Sequence, residues 1–384
     1  MFAPRWRGSL TCMKRFKKII KDILWVTLPA ILFCLLIAEF VVFRFIIPAC
    51  QYPLYSYDEH FKLLHFQPAS SGLFTAGRLA EVRGRWRSNN FGWNSEIDYV
   101  PGIGKKRPLV AVVGDSYVEA FQVDVDRRFP ALLQSLMGDD YLVYSFGISG
   151  AALSQYLHMS RYVNQVFNPQ ILVINVVHND FDESLANLVR VPKFLQIAMR
   201  NGAFTEVPPT PLQHSIFTRI LRLSAFFRYV DQNCGLYNLF NNISLLLNPP
   251  LKLPTYNANI DVDAVTRERE LIRRGARFLV ATIRAENPDK RVIIQMDGPR
   301  FDIYNNNLAS SNVWWLHEIM RDACRDNRIE FLDLTEPFAR HFKEFQQHFE
   351  NQADWHWNKL GHEVVARALY DRLKETGALS RFTK

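Results

Sequence analysis

Five positions carry the groups that together can move an acyl group: Ser116, His356, Asp354, Gly150 and Asn179. A serine hydroxyl is a weak nucleophile until a base takes its proton. The base must in turn be held in one tautomer by a carboxylate or a carbonyl. Ser116 fits the nucleophile, His356 the base and Asp354 the orienting carboxylate. Acyl transfer also needs donors where the oxyanion develops. The backbone N–H groups of Ser116 and Gly150 and the side-chain amide of Asn179 can supply them. Glycine suits position 150, because a backbone amide approaches a substrate closely where no Cβ intrudes.

Read singly, each of these residues has an ordinary explanation. Ser116 can be the cap of a helix that follows a strand. Asn179-Asp180 can be turn chemistry. His356 can be a structural histidine between Trp355 and Trp357, and those tryptophans, with Trp314 and Trp315, can be core or can stack on sugar rings. Order along the chain argues for more. LVAVVGDSYVEAF (109–121) is an unbroken apolar run that stops at Gly-Asp-Ser. SFGISG and VVHND close two further apolar runs, and DWHWNKLGH precedes the last helical pattern.

The elements that must position these groups read as alternating strands and helices. Strands are predicted at 108–113, 141–147, 170–177, 291–297 and 328–334. Helices are predicted at 127–137, 151–166, 265–286, 312–326 and 360–375. Continuous apolar strands separated by helices imply an α/β fold: a three-layer, flavodoxin-like parallel sheet of about five strands with both faces covered. Ligands bind such sheets at the carboxyl ends of the strands, where the polar triplets stand. Other layouts fail. Val118 occupies the position where a Gly-x-Ser-x-Gly elbow needs glycine. There is no HExxH, P-loop or GxGxxG. Asp115 and Asp180 have no histidine cluster beside them, so no metal and no cofactor is expected.

The chain has 384 residues and a formal charge of +8. Residues 1–22 carry seven basic side chains against Asp22 alone, which leaves +2 for everything else and excludes a basic nucleic-acid binder. The run from Ile23 to Phe43 contains one charge, Glu39, and is long enough to span a bilayer. It is too long for a usual signal-peptide core and no small-x-small site follows it. We therefore expect a basic cytoplasmic tail (1–22), a retained transmembrane helix (23–45), a connector (46–107) and a catalytic domain (108–377) with an insertion at about 183–262. The basic flank places the N-terminus inside and the body outside. IFTRILRLSAFFRYV (216–230), within the insertion, is basic and amphipathic. It fits packing on its own domain, the alternative being a membrane surface. NPPLKLP (248–254) reads as a loop. Cys50, Cys234 and Cys324 form no disulfide framework, though one bridge among them is open.

These blocks resemble those of the SGNH (GDSL-type) hydrolase family, over roughly residues 85–377. VVGDSY resembles the nucleophile block, SFGISG the glycine block, VVHND the asparagine block and DWHWNKLGH the last block. The resemblance implies a serine esterase with Ser116, His356 and Asp354 as triad and Gly150 and Asn179 at the oxyanion. His362 is the alternative base. Two positions depart from the usual pattern: Val177 stands where the asparagine block has glycine, and the last block is spaced Asp-x-His. RSNNFGWNSE resembles the segment before the first block in bacterial membrane-tethered members linked to surface polysaccharide. The function implied is hydrolysis of O-acyl, chiefly O-acetyl, esters on an extracytoplasmic carbohydrate. Alternatives are an O-acyltransferase using the same triad, a lipid substrate, or a weakly catalytic assembly component of an envelope polysaccharide machine. The location implied is an inner membrane facing the periplasm.

Overall fold

The computed structural model describes residues 8–212, 215–235 and 256–378. The loop expected at 248–254 and the first seven residues of the basic tail lie outside these. A long helix, α1 (Arg15–Ile46), opens the described chain. Its mean hydropathy is 2.5 over its most apolar stretch and none of that stretch is buried. It is therefore long and apolar enough to cross a membrane.

Two antiparallel hairpins follow, β1 (Tyr55–Asp58) with β2 (Leu63–Phe66), and β3 (Ser71–Ala76) with β4 (Val82–Arg87). Their residues are not solvent-facing filler. Leu64, Phe66, Trp86, Trp93 and Tyr99 are buried in one core with residues of the central sheet. The segment 88–99 folds around its asparagines. Asn89 Oδ1 accepts from the N–H groups of Phe91 and Trp93, and Asn94 Nδ2 donates to the Glu119 carbonyl at 2.7 Å. Polar side chains that bond the backbone in this way stabilise a turn without secondary structure.

The central sheet is built from β5 (Leu109–Gly114), β6 (Leu142–Gly147), β7 (Ile171–Val176), β12 (Arg291–Met296) and β13 (Glu330–Asp333). Its order is β13-β12-β7-β5-β6, all parallel. The hairpins β8 (Gln196–Arg200) with β9 (Ala203–Val207), and β10 (Tyr256–Asn257) with β11 (Ile260–Asp261), lie apart from it in the insertion. Side chains alternate between two buried faces, as strand geometry requires. Ala111, Val113, Leu172 and Ile174 point into one core, and Val110, Val112, Ile171 and Val173 into the other. α4 (Leu153–Val166), α7 (Arg269–Glu286) and α8 (Trp314–Asp326) cover the first face; α3 (Phe129–Met137) and α10 (Lys359–Glu375) cover the second. Helix spacing explains this directly: Val365, Leu369 and Leu373 recur along one face of α10 and are fully buried. Each such side chain contributes about 1.5–3 kcal/mol by leaving water. The remaining helices used below are α2 (Ser116–Glu119), α5 (Ile216–Leu221), α6 (Ala225–Arg228) and α9 (Thr335–Phe345). The three-layer parallel fold read from the sequence is the fold observed.

Two expectations need amendment. The stretch 216–230 does pack on its own domain, but only through one side; Ile216, Phe217, Ile220 and Leu223 face solvent. Ala225 is buried and Tyr229 stacks on Phe43, and the arginines add inward hydrogen bonds. Arg222 donates to the Tyr52 carbonyl and Arg228 to the Cys50 carbonyl. Cys50 and Cys324 are buried, Cys234 is exposed, and all three are free thiols.

Candidate active site

The sheet order places β5 between β6 and β7. The loops after these three adjacent strands carry Ser116, Gly150 and Asn179 respectively, so topology alone gathers them at one sheet edge. Gly114 of β5 pairs with Gly147 of β6, where the chain leaves both strands together. The turn into α2 is made by Asp115. Its Oδ1 accepts from the Tyr117 N–H at 3.0 Å, capping the short helix that begins at Ser116. Gly147 is required here. A Cβ on it would lie 2.1 Å from the Glu119 nitrogen, so only glycine lets α2 sit on the end of β6. We expect Gly147→Ala to lower kcat/KM for a chromogenic ester by about 10²-fold, because a shift near 1 Å of the nucleophile is enough. Thermal unfolding of the same variant should show a loss of about 1–3 kcal/mol from overpacking.

DWHWNKLGH brings His356 across from the other end of the chain. His356 Nε2 lies 2.8 Å from Ser116 Oγ. His356 Nδ1 lies 3.1 Å from the main-chain oxygen of Asp354 and 3.3 Å from its Oδ2. The carboxylate is at ion-pair distance, but the aligned acceptor for Nδ1–H is the carbonyl. This is what Asp-x-His spacing produces: two residues apart, the Asp354 backbone reaches the imidazole as easily as its side chain. With Nδ1 protonated, Nε2 presents its lone pair to the serine O–H. Burial pushes the His356 pKa down, but the hydrogen bond and charge of Asp354, with the charge of Asp115, outweigh it and raise the pKa above 6.5. Ser116 Oγ is also 3.3 Å from Asp115 Oδ2, a carboxyl that burial pushes up to about 6.

Gly150 follows β6 in a turn with φ +77°, which a side chain would strain. Asn179 opens the short helix after β7, and its carbonyl accepts from the Glu183 N–H at 3.1 Å. Val177, which departs from the usual glycine, donates its N–H to Asp180 Oδ2 at 2.8 Å, and Asp180 Oδ1 accepts from Tyr156 OH. Asp180 is thus a buried brace of the asparagine turn. His362 sits inside α10, fully buried, with Nδ1 accepting from the Phe129 N–H. Burial, then the charges of Arg128 and His356, hold it neutral down to about 3, and it is not the histidine that meets Ser116. Among the described residues no group of three His, Cys, Asp or Glu is arranged to hold a metal.

Two residues that the sequence reading passed over organise the site. Arg300 is almost buried. It donates to Tyr117 OH at 2.8 Å and to the Trp355 carbonyl at 3.1 Å, and pairs with Asp297 and Glu350 at 3.3 Å each. It thereby ties the residue after Ser116 to the residue before His356. Trp355 is held at φ +64°, a sparsely populated conformation for a non-glycine residue, and its ring is 57% exposed. Trp357 and Trp315, in contrast, are core, and Trp314 stacks on His317. The second residue is Glu119, at the end of α2. Its Oε2 accepts from the Ser149 N–H at 2.6 Å, and its Oε1 from Ser149 Oγ at 2.7 Å and Tyr52 OH at 3.0 Å. It therefore locks the turn before Gly150 onto the nucleophile helix. The only sequence signal was its place, three residues after Ser116 on one helical turn.

Burial raises the Glu119 pKa from 4.5 to about 7, against the hydrogen bonds from Ser149 and Tyr52. A carboxyl raised in the folded state binds protons that the unfolded chain releases. Stability from this group is therefore highest below pH 4.5 and falls as pH rises through 7. Glu119→Gln should flatten that slope in pH-dependent unfolding. It should also lower kcat by about tenfold with little change in KM, since one Ser149 bond is lost but the cavity is untouched.

Beside Ser116 and His356 opens a cavity of about 840 Å³, walled by Tyr117, His178, Arg300, Phe301, Tyr304 and Trp355 among others. His178 Nε2 meets His317 Nε2 at 3.0 Å, and His317 Nδ1 meets Asp333 at 3.1 Å. Burial, then the neighbouring His317, holds His178 far below its usual value and neutral. The wall therefore offers aromatic faces and fixed hydrogen-bonding groups, the lining that orients a polar, ring-containing ligand.

A family model described as the GDSL-like lipase/acylhydrolase family matches residues 112–364. No curated protein matches the chain. Among solved structures, an acetyl xylan esterase (AlAXEase) aligns at 14% identity and TM-score 0.37, covering 69% of this chain and 99% of that one. A lipase/acylhydrolase from Enterococcus faecalis aligns at 11% identity and TM-score 0.36, covering 70% and 96%. A carbohydrate acetylesterase family member from Sinorhizobium meliloti aligns at 11% identity and TM-score 0.33, covering 70% and 98%.

Proposed function

The chain belongs to the GDSL-like lipase/acylhydrolase family, and from that premise we propose that it is a membrane-anchored serine esterase that removes O-acyl groups, most simply O-acetyl, from an extracytoplasmic carbohydrate. The observation that carries the reading is the 2.8 Å contact between Ser116 Oγ and His356 Nε2 at the carboxyl end of the central strand, beside the aromatic cavity. In this reading His356 takes the Ser116 proton as Oγ attacks the ester carbonyl carbon. The oxyanion is met by the N–H groups of Ser116 and Gly150 and by the Asn179 amide. The C–O bond to the sugar breaks, and the leaving alkoxide takes the proton from His356. Water then attacks the acyl carbon with His356 as base; the bond to Ser116 Oγ breaks, Oγ takes the proton back from His356, and the carboxylic acid leaves. The anchor is α1, and its basic flank supports an N-terminus inside with the catalytic body outside.

The test uses the full chain in detergent with an O-acetylated oligosaccharide, following free acetate and sugar mass. Acetate release by the wild type that disappears in Ser116→Ala supports the proposal. Acetylation of an added unsubstituted oligosaccharide, without acetate release, would replace it with a transferase. Equal release by both proteins would overturn the assignment of Ser116.

A further inference from the structure

Glu39 is the one charge in the apolar run of α1, and the structure gives it four partners. Its carboxylate accepts from Ser224 Oγ at 2.8 Å, from the Ala225 N–H at 3.0 Å, from the Phe226 N–H at 2.9 Å and from Arg44 at 2.6 Å. Three of these belong to the start of α6, in the insertion. Phe43 stacks on Tyr229 with ring centroids 4.0 Å apart, and Arg44 also reaches the Leu223 carbonyl. The amphipathic segment 215–233 is therefore fastened to the side of the helix, beside its last two turns.

Its other contacts all run to the body. Arg222 and Arg228 bond the carbonyls of Tyr52 and Cys50. Asn233 bonds Cys50 and Thr75, and Tyr229 OH bonds the Arg78 carbonyl. These polar groups are consumed inward, while Arg219 stays exposed. Also outward is a ridge of large apolar side chains: Ile216 (78% exposed), Phe217 (67%), Ile220 (59%) and Leu223 (72%). The first three share one face of α5, and Leu223 follows in the turn after it.

The depth of that ridge follows from the length of the span. About 20 residues are needed to cross the hydrocarbon core, so a core that begins at Ile23 ends near Val42, past Glu39. Residues bonded to Glu39 then lie at the border between acyl chains and headgroups. A charge there is tolerated when it is paired and hydrogen-bonded, as Glu39 is. The exposed side of α1 next to the ridge is itself apolar, with Phe40, Phe45 and Ile46 uncovered. The span and the segment fastened to it thus both expose apolar side chains.

We propose that residues 215–226 are a second membrane contact: a short interfacial segment whose ridge enters the outer face of the lipid bilayer, latched to the anchor through Glu39. The inference rests on α1 spanning the membrane. Its consequence is geometric. The catalytic body is not on a loose tether but is held against the surface at a fixed height, by two points of attachment.

The full chain is tested in nanodiscs of phosphatidylcholine and phosphatidylglycerol, with the photocrosslinker p-benzoylphenylalanine in place of a single phenylalanine. Phe33 reports the span, Phe217 the ridge, and Phe345, exposed at the end of α9, the remote body. After irradiation, lipid adducts are counted by mass spectrometry. We expect adducts at positions 33 and 217 within about threefold of each other, and background at 345, as for a segment buried 5–10 Å into the interface. Adducts at 33 but background at 217 would overturn this inference and leave the anchor standing. Background at both would remove the anchor and the inference together. Crosslinks from 217 to another copy of the chain would replace the bilayer with a dimer interface. In the background of Glu39→Leu, the adduct at 217 should fall at least about threefold while that at 33 holds; an unchanged adduct at 217 would overturn the latch.

Discussion

Ser116→Ala lowers the rate of ester hydrolysis by about 10⁵-fold or more, with KM and melting temperature close to wild type. The size follows from what the proposed mechanism asks of the hydroxyl: it would form the acyl-enzyme, and it is the group that stands 2.8 Å from His356 Nε2. Stability should be spared because the hydroxyl makes only two contacts, to His356 Nε2 and Asp115 Oδ2, and alanine is tolerated where the helix cap is supplied by Asp115 rather than by Ser116. His356→Ala should cost nearly as much. The double variant should be no slower than either single one, because nucleophile and base act as a unit and the second loss finds nothing left to remove. The measurement is pre-steady-state release of p-nitrophenol from p-nitrophenyl acetate, which isolates acylation. Additive losses in the double variant would mean that Ser116 and His356 do not share a step.

How far the sequence reached depends on where the information lies. β5, β6 and β7 were legible because each is dominated by apolar residues, many of them β-branched or aromatic, and a strand buried on both faces reads that way. The turn that carries Ser116 was legible because its neighbours are confined: Gly114 and Gly147 by the close approach of α2, Asp115 by its capping bond. Glu119 and Arg300 were not. Both are charges whose meaning comes from partners far along the chain, Glu119 from Tyr52 and Ser149, Arg300 from Glu350 and Trp355. In a sequence they look like surface residues, since burial of a paired charge leaves no local periodic mark. Glu39 stood out in the sequence only as the one charge of the apolar run, since its bonds to Ser224, Ala225 and Phe226 span 185–187 residues. The Asp354 carbonyl, as an acceptor for His356, has no side-chain identity to be read at all.

That carbonyl sets the size of the second effect. Asp354→Asn should reduce kcat/KM by about 10- to 100-fold, well short of the roughly 10⁴-fold loss seen when the carboxylate is the sole holder of the imidazole. The main-chain oxygen at 3.1 Å stays in place and keeps Nδ1 protonated, so the tautomer survives. What is lost is charge. Asp354 is the principal cause that raises the His356 pKa; without it, burial and Arg300 both push the pKa down. The base works only when neutral, so the wild-type rate climbs with pH through a value above 6.5. In Asp354→Asn the acid limb moves to lower pH. The deficit of the variant is therefore smaller at pH 5.5 than at pH 8, where more of the wild-type imidazole is neutral and the loss of imidazolium stabilisation weighs most. Asp115, at about 6, titrates in the same window, and the limb reports the two groups together. Folding stability carries the same sign. A histidine raised by its partner stabilises the fold below its ordinary pKa, and that contribution is lost as pH rises through the folded value. The variant should lose this slope. A kcat/KM profile in which the acid limb of Asp354→Asn coincides with that of the wild type would show that the carboxylate at 3.3 Å does not act on His356, and that the carbonyl orients it alone.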